Sequence, residues 1–485
     1  MAQDTENSAE NENEVTESTS NASNRVISEL PGRPFAITME VPLFLTLLAV
    51  SLSGTAISNI ILYRTCVYSL NHSLDECKIF LTPEKSNVTH KLEEEVQKYA
   101  TFIQTVKTVL ESISPAILSM FLGVWSDTHG RKPLIVWSLL GITMSSMLVV
   151  IYSMMHLGPW WYVLTSIPFA FTGGISVIFT GAYCYIADIT TKSTRSLRIT
   201  ILGAAVSAGS VMGSLLSAYL IKAVGNVYLL LIVTALYVIA YAFTNIHLKE
   251  SLNGAIPGGL MSVLDWLLVK EMFRDCFKRR PNYLRAQLLL LTFANSLSVF
   301  MLYGLYGLSY MYTREKLHWA LKDYTQFSAV DTTISFAGSF FGVGVLQKYL
   351  PIGDMALSIV ALVTVAISYM IRGFATTTWH FYLAAVINVF SGLSSPLIRS
   401  YLSKVMPMED IAKVFALMGA IEGLAPIISP VLYNALYEFT ISSFPGAIML
   451  LTSGLCLVCA TMLSTAVYYR WRASVPNYQP LEINS

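Results

Sequence analysis

Gly123-Val-Trp-Ser-Asp127-Thr-His-Gly130-Arg131-Lys132 is a short polar turn set between two long apolar runs. Each singled-out residue has a physical task there. A glycine at 123 lets two helices approach closely. Asp127 can accept hydrogen bonds from the amino end of a neighbouring helix, and Gly130 permits a sharp turn. Arg131 and Lys132 anchor the turn at a membrane face. A loop that merely obeyed the positive-inside rule would account for the two basic residues, but not for the aspartate or the two glycines.

Apolar runs of the same kind recur on both sides of this turn, from near residue 38 to near residue 469. Of the 485 residues, 54% are hydrophobic and 13% are charged, roughly half the charge of a soluble domain. A bilayer core about 30 Å thick asks for about 20 apolar residues per helical span, and hydrocarbon forbids unpaired backbone. Twelve spans follow, near 37–62, 99–124, 133–155, 160–187, 199–222, 227–247, 285–313, 323–348, 354–374, 378–403, 410–438 and 443–469. The long polar stretch 248–284 divides them into six plus six, giving halves 37–247 and 285–469. The expected fold class is therefore an all-α membrane protein of twelve helices in two six-helix halves. Residues 1–36, with seven acids in the first thirty, read as a disordered acidic tail, and 470–485 as a second tail. The start of the chain has no basic segment followed by an apolar run, so the first span is expected to act as the targeting signal.

Lys and Arg set the orientation. The central stretch carries Lys249, Lys270, Arg274, Lys278, Arg279 and Arg280, whereas the short loops near 156–159, 223–226 and 439–444 carry neither residue. Both termini and the central stretch are expected in the cytosol. The long outer loop 63–98 contains two glycosylation sequons, Asn71-His-Ser73 and Asn87-Val-Thr89; the sequon at Asn21 falls on the cytosolic side and is expected bare. Cys66 and Cys77 share that loop, on the oxidising side, where they either pair or stand as free thiols. The other four cysteines lack zinc-ligand spacing with histidine, so no metal is assigned. A net charge of +1 argues against a nucleic-acid partner.

The Gly-x-x-x-Asp-x-x-Gly-Arg-Lys spacing resembles the signature of the major facilitator superfamily, at the expected place in a twelve-span chain. In that superfamily the motif is implicated in a state-dependent latch between the halves, which would assign gating to Gly123, Asp127, Gly130, Arg131 and Lys132, with Asp188 beside them. A weak internal repeat agrees: Tyr185-Ile-Ala-Asp188 closes span four and Tyr401-Leu-Ser-Lys404 closes span ten, with Gly203 and Gly419 following at one offset. Three segments also resemble the family of the proton-coupled folate transporter and the thymic stromal cotransporter (solute carrier family 46). They are Trp125-Ser-Asp-Thr-His-Gly-Arg131, Tyr185-Ile-Ala-Asp188 with its link to Arg198, and Ser395-Pro-Leu-Ile-Arg399-Ser-Tyr-Leu-Ser-Lys404. The resemblance implies uptake of organic anions, often driven by protons; substrates across such relatives include folates, steroid conjugates, cyclic dinucleotides and cell-wall peptides. It implies a substrate-linked role for Arg399. Gly203 stands where the folate-transporting member has a carboxylate tied to proton coupling, and Met301 where it has a histidine.

A charge at the bilayer centre costs about 2.5–3.5 kcal/mol on insertion scales, so each one needs a reason. Lys107 and Glu111, four apart on span two, form an internal salt bridge or supply a proton site. Asp331 lies in the outer third of span eight, where a solvated mouth would relieve it, and is either a further candidate proton site or a solvated structural charge. Arg399 lies two thirds through span ten and either binds an anion or holds a helix end. Glu422 sits among small residues in Gly419-Ala-Ile-Glu422-Gly-Leu-Ala-Pro426, with no base within a turn of its own helix. An unpaired carboxylate there is a candidate to carry a proton in place of the one missing at 203, and a structural hydrogen bond is the alternative. Tyr303, Tyr306 and Tyr310, with Tyr312, recur in span seven, either as a stacking surface for a planar ligand or as interfacial aromatics.

These residues together read as a secondary transporter that moves an organic anion with a proton by alternating access, with no cofactor beyond the proton gradient. An uncoupled carrier and a non-transporting receptor or scaffold of the same fold are the rivals. Nothing in the chain resembles a nucleophile–base set, a phosphate loop or a metal cluster, so an enzyme is not expected. The partners are the lipid bilayer, the solute, protons and a sorting adaptor read from Tyr478-Gln-Pro-Leu481, with residence in the plasma membrane or an endolysosomal membrane.

Overall fold

The computed structural model describes residues 38–78, 90–191, 194–252, 266–306, 308–317, 319, 321–350, 352–440 and 443–474. The acidic tail, Asn21, Asn87, Tyr478 and Leu481 lie outside the described residues. Among the described residues, twelve helices are long and apolar enough to cross a membrane. The first six are Glu40–Ser69, Phe102–His129, Arg131–Met154, Trp161–Ile189, Arg195–Ser217 and Tyr219–His247. The second six are Leu284–Leu305, Gln326–Leu346, Asp354–Gly373, Thr378–Val405, Asp410–Thr440 and Ala447–Ala473. Between the sets lies an additional helix, Trp266–Phe277. Large apolar side chains such as Phe171, Val386 and Val431 stay exposed, which suits helices whose solvent is hydrocarbon.

The principal buried cluster runs through both halves, from Leu43 and Ile61 to Phe415 and Leu463. The halves cross by a symmetric exchange. Gly203 on span five meets Pro396 on span ten, and Gly419 on span eleven meets Thr180 on span four. The spacing that separates Gly203 from Gly419 also separates Thr180 from Pro396, so the weak sequence repeat maps onto two equivalent crossings. Two further crossings join spans two and eleven, where Gly123 abuts Ala416 and Gly423 abuts Ala116. Glycine is needed at each, because an added Cβ would overlap the facing alanine.

Spans four and ten are interrupted at matching places. Span four breaks at Gly173 (φ 82°) and Gly174 (φ 53°) before resuming as Gly174–Ile189. Span ten narrows to a 3₁₀ segment, Asn388–Leu393, before Ser394–Val405. Left-handed glycines and a tightened turn are identifiable causes of a kink. Span seven departs from the sequence expectation of 285–313: the helix stops at Leu305, Tyr306 turns extended (ψ 121°), and a separate helix covers Leu308–Leu317. Glycines at 304 and 307 weaken the helix there, and Gly304 is pressed against the Tyr433 ring.

One end of the bundle, the motif end, carries the Asp127–Arg131 turn. The opposite end carries the disulfide Cys66–Cys77, which packs with Val96. Asn71 is exposed beside it with φ 55°, and Ser73 caps the short helix Leu74–Cys77.

Candidate functional site

At the motif end, Gly130 takes φ 107° and places Arg131 at the start of span three. The Arg131 guanidinium donates to Asp127 Oδ1 at 2.6 Å, to Ser126 Oγ at 2.6 Å and to Asp188 Oδ2 at 3.2 Å. The sequence reading placed Asp127 on the amino end of a neighbouring helix; the structure corrects this. The carboxylate at the start of span three is Glu250, which accepts from the backbone N–H of Arg131 (2.8 Å) and Lys132 (3.1 Å). A carboxylate at that position is favoured by the helix dipole. Lys132 Nζ caps the carbonyl of Asn245 at 2.7 Å. The intermediate helix Trp266–Phe277 is tied to span eleven by Lys413 and Asp275. Burial pushes the Asp275 carboxyl up, but the hydrogen bond and charge of Lys413, with Lys278 and Arg274 nearby, outweigh it and leave the group below its ordinary value. Burial pushes the adjacent Cys276 thiol up to about 12, so it stays protonated.

Between the halves lies a cavity of about 780 Å³, lined by both sets of spans. Its charged lining is Glu111, Asp331, Arg399 and Glu422, and two arginine–carboxylate pairs hold the last three. Arg399, 4% exposed, donates through Nη2 to Glu422 Oε1 (2.7 Å) and Oε2 (2.6 Å). Asn295 Nδ2 also donates to Glu422 Oε1, at 2.5 Å. The guanidinium lies over the Tyr183 ring, 4.4 Å from its centroid, so the first half supplies part of the enclosure. Arg399 Nε is buried with no hydrogen-bond partner among the described residues. The second pair joins Arg372 of span nine to Asp331 of span eight at 2.8 Å, with Asn388 of span ten at 3.4 Å.

These pairs overturn two expectations. Glu422 is not an unpaired carboxylate: its cation comes from span ten, a partner that inspection of its own helix cannot show. Asp331 is relieved by Arg372 as well as by the cavity, rather than by a solvated mouth alone. Glu111 lines the cavity and pairs with Lys107, whose ammonium lies 4.9 Å from the Tyr162 ring centroid, the internal salt bridge of the sequence reading. The tyrosine surface is also corrected. Tyr303 lines the cavity, but the break after Leu305 disperses the others. Tyr306 is 85% exposed, Tyr310 stands against Tyr324, and Tyr312 is buried with its hydroxyl on the Arg372 carbonyl.

The family model of the Major Facilitator Superfamily matches residues 43–430. This chain belongs to the major facilitator superfamily. It is 28% identical over 476 residues to the probable peptidoglycan muropeptide transporter SLC46 of Drosophila melanogaster, covering 94% of this chain and 91% of that one. It is 25% identical to the lysosomal proton-coupled steroid conjugate and bile acid symporter SLC46A3 of Rattus norvegicus, over 83% and 87%. The proton-coupled folate transporter of Bos taurus is 23% identical, over 71% and 74%. The resemblance to the folate-transporter family holds in these relatives, which are transporters and not enzymes. Among solved structures, the human organic anion transporter MFSD10 (TETRAN) superposes with a TM-score of 0.67 at 16% identity, covering 88% of this chain and 97% of that one, which speaks to the fold.

As a major facilitator, the chain also holds its halves together through Asp354, which the sequence reading passed over, and its contacts. Asp354, in the first turn of span nine, accepts from Lys404 Nζ at 2.6 Å, Ser400 Oγ at 3.2 Å and Gln347 Nε2 at 3.0 Å. Ser196 of the first half donates to the same carboxylate at 3.0 Å. Arg195 donates across the interface to the Ser403 carbonyl. The signal available in the sequence was an acid directly after Pro351-Ile-Gly353, at the start of an apolar run. Arg64 was missed as well; its guanidinium caps the carbonyls of Ser153, Met155 and Leu157 at the disulfide end.

Proposed function

We propose that this protein carries an organic anion across the membrane together with a proton, by alternating access of the cavity to the two sides. The observation that carries the reading is the Arg399–Glu422 pair in the cavity wall. A buried arginine needs a counter-charge, and removing one partner of a buried pair costs about 3–5 kcal/mol. An anionic solute that takes the guanidinium leaves Glu422 without its cation, and the exposed carboxylate then takes up a proton. Anion and proton binding are thereby linked, each favouring the other. The proton-coupled relatives are consistent with such linkage.

The bonds from Ser196, Arg195, Lys404 and Asp354 close the motif end, so we read this state as open toward the disulfide end. Arg131 with Asp127 and Asp188 serves as the latch that must loosen for the opposite state. The basic motif end faces the cytosol, because the disulfide belongs to an oxidising compartment. Both termini are then cytosolic, Asn71 and Asn87 are exoplasmic glycosylation sites, and Tyr478 with Leu481 is available to a sorting adaptor. Residence in an endolysosomal membrane would set an acidic lumen against the open side and drive solute toward the cytosol.

The test is uptake of labelled organic anions by proteoliposomes, with and without an imposed pH gradient. Accumulation above equilibrium only when protons flow with the solute supports the reading. Equal filling under both conditions favours an uncoupled carrier, and no filling by any anion favours a receptor of the same fold.

A further inference from the structure

Asp331 is used only in part by the chain. Its Oδ1 accepts from Arg372 and Asn388, while Oδ2 accepts no hydrogen bond among the described residues and the side chain keeps 21% exposure on the cavity wall. Asn388 also lines the cavity, is 6% exposed, and its Oδ1 has no hydrogen-bond partner among the described residues. Two acceptor oxygens at one end of the cavity thus lack donors among the described residues.

The other end is Arg399, whose guanidinium prefers an anion. Asn388 and Arg399 belong to one span, about three helical turns apart, which is roughly 19 Å at 2.0 Å per residue through the 3₁₀ segment and 1.5 Å per residue beyond it. A continuous polar seam joins them. On span eight Asp331, Ser335 and Ser339 follow at four-residue spacing, and on span ten Ser391 and Ser395 lie between Asn388 and Arg399; all of them line the cavity. The two helices are locked along this seam by Ser335 Oγ with Ser391 Oγ at 2.5 Å and by the Gly392 N–H on Ser335 Oγ at 3.1 Å. A flat apolar ligand leaves the Asp331 and Asn388 oxygens at the far end unmet, and unmet buried acceptors weigh against it.

We propose that the cavity is a two-ended site for an elongated polar solute, whose acidic group meets Arg399 and whose far end presents a hydrogen-bond donor to Asp331 and Asn388. The backbone of the solute, rich in amides or hydroxyls, lies along the serine seam. This rests on the anion reading of Arg399 and adds the far subsite, the length and the chemistry of the chain between. An extended chain covers about 3.3–3.6 Å per residue, so about five glycines match the seam.

The test is binding to the purified full-length protein of matched probes differing in one group. Pentaglycine ends in an ammonium, glycoloyl-tetraglycine in a hydroxyl and N-acetyltetraglycine in a hydrogen at the same position; triglycine is too short. The two donor-ended probes should bind about tenfold or more tighter than N-acetyltetraglycine, as a hydrogen bond to a charged group implies. Triglycine should lose the same factor. The paired substitution Asp331→Asn with Arg372→Gln, which leaves no lone buried charge but keeps neutral acceptors, should lower the ratio between donor-ended and acetyl probes several-fold, most for the ammonium-ended one; Ser335→Ala should weaken every long probe. Equal binding of all three long probes, or a ratio unchanged in the paired variant, overturns the proposal while leaving the anion reading intact. If no probe binds and Arg399→Gln changes nothing, both fall together.

Discussion

Replacing Glu422 by glutamine separates charge from shape at the proposed coupling site. The amide keeps the length of the side chain and can still bond Asn295 and the Arg399 guanidinium, but it cannot exchange a proton. In the wild type one carboxylate opposes one arginine, so one proton accompanies one monoanion and the loaded step moves no net charge. The membrane potential then contributes nothing, and each unit of pH gradient supplies about 1.36 kcal/mol, about a tenfold concentration ratio of solute. Glu422→Gln should still equilibrate the anion across a proteoliposome membrane but should hold it at a ratio of about one, whatever the gradient. Its uptake should lose pH dependence, because Arg399 stays open to the anion at every pH. Radiolabelled solute, measured at steady state across stepped gradients, reads the ratio directly. A variant that still concentrates solute about tenfold per pH unit refutes the reasoning, and Asp331 and Glu111 become the carboxylates to test.

Gly123→Leu should jam spans two and eleven, because its side chain would enter the space of Ala416; uptake should fall several-fold, and Ala416→Gly should restore part of it. Asn71→Gln and Asn87→Gln should each raise gel mobility, while Asn21→Gln should not, and a glycan at Asn21 would reverse the orientation. The Asp275–Lys413 pair should not act as the pH sensor. The Asp275 carboxyl titrates below its ordinary value of about 4, so its contribution is present above that value and is lost only as pH falls through the lowered one. Asp275→Asn should therefore change uptake by the same factor at neutral and mildly acid pH.

Most of what depends on one helix was legible in the sequence. Hydropathy placed the spans, and the glycines and aspartate of the turn placed the motif. The Lys107–Glu111 pair, four apart on one face, was visible as such. The pairs that build the cavity were not, since Arg399 and Glu422 belong to different helices and so do Arg372 and Asp331. A buried charge announces that it needs a partner, but which helix supplies it is a tertiary matter. Span seven illustrates the converse: an unbroken apolar run was read as one helix, and two glycines three residues apart were the overlooked sign of its end.

The broken spans connect the repeat to the site. Span four breaks at Gly173 and Gly174, and the matching place in span ten is the 3₁₀ segment holding Asn388 and Gly392. A regular helix satisfies its own backbone and offers only side chains to a cavity, whereas an interrupted one can turn a polar side chain or an N–H inward. In span ten the interruption sits beside Asp331 and sends the Gly392 N–H to Ser335. In span four Phe169 packs against Gly174, and Phe169 and Phe179 line the cavity beside Ser176 and Thr180. The pseudo-symmetry of the halves is thus kept in the helix breaks and crossings and departs in the charged side chains. The second half bears the two arginine–carboxylate pairs and the seam, while the first half supplies Glu111, hydroxyls such as Thr180 and aromatic cover such as Tyr183. A site assembled mostly from one half lets the other rock over it without dismantling the solute's contacts. It follows that substitutions at Phe179 and Tyr183 should slow the exchange between states more than they weaken binding.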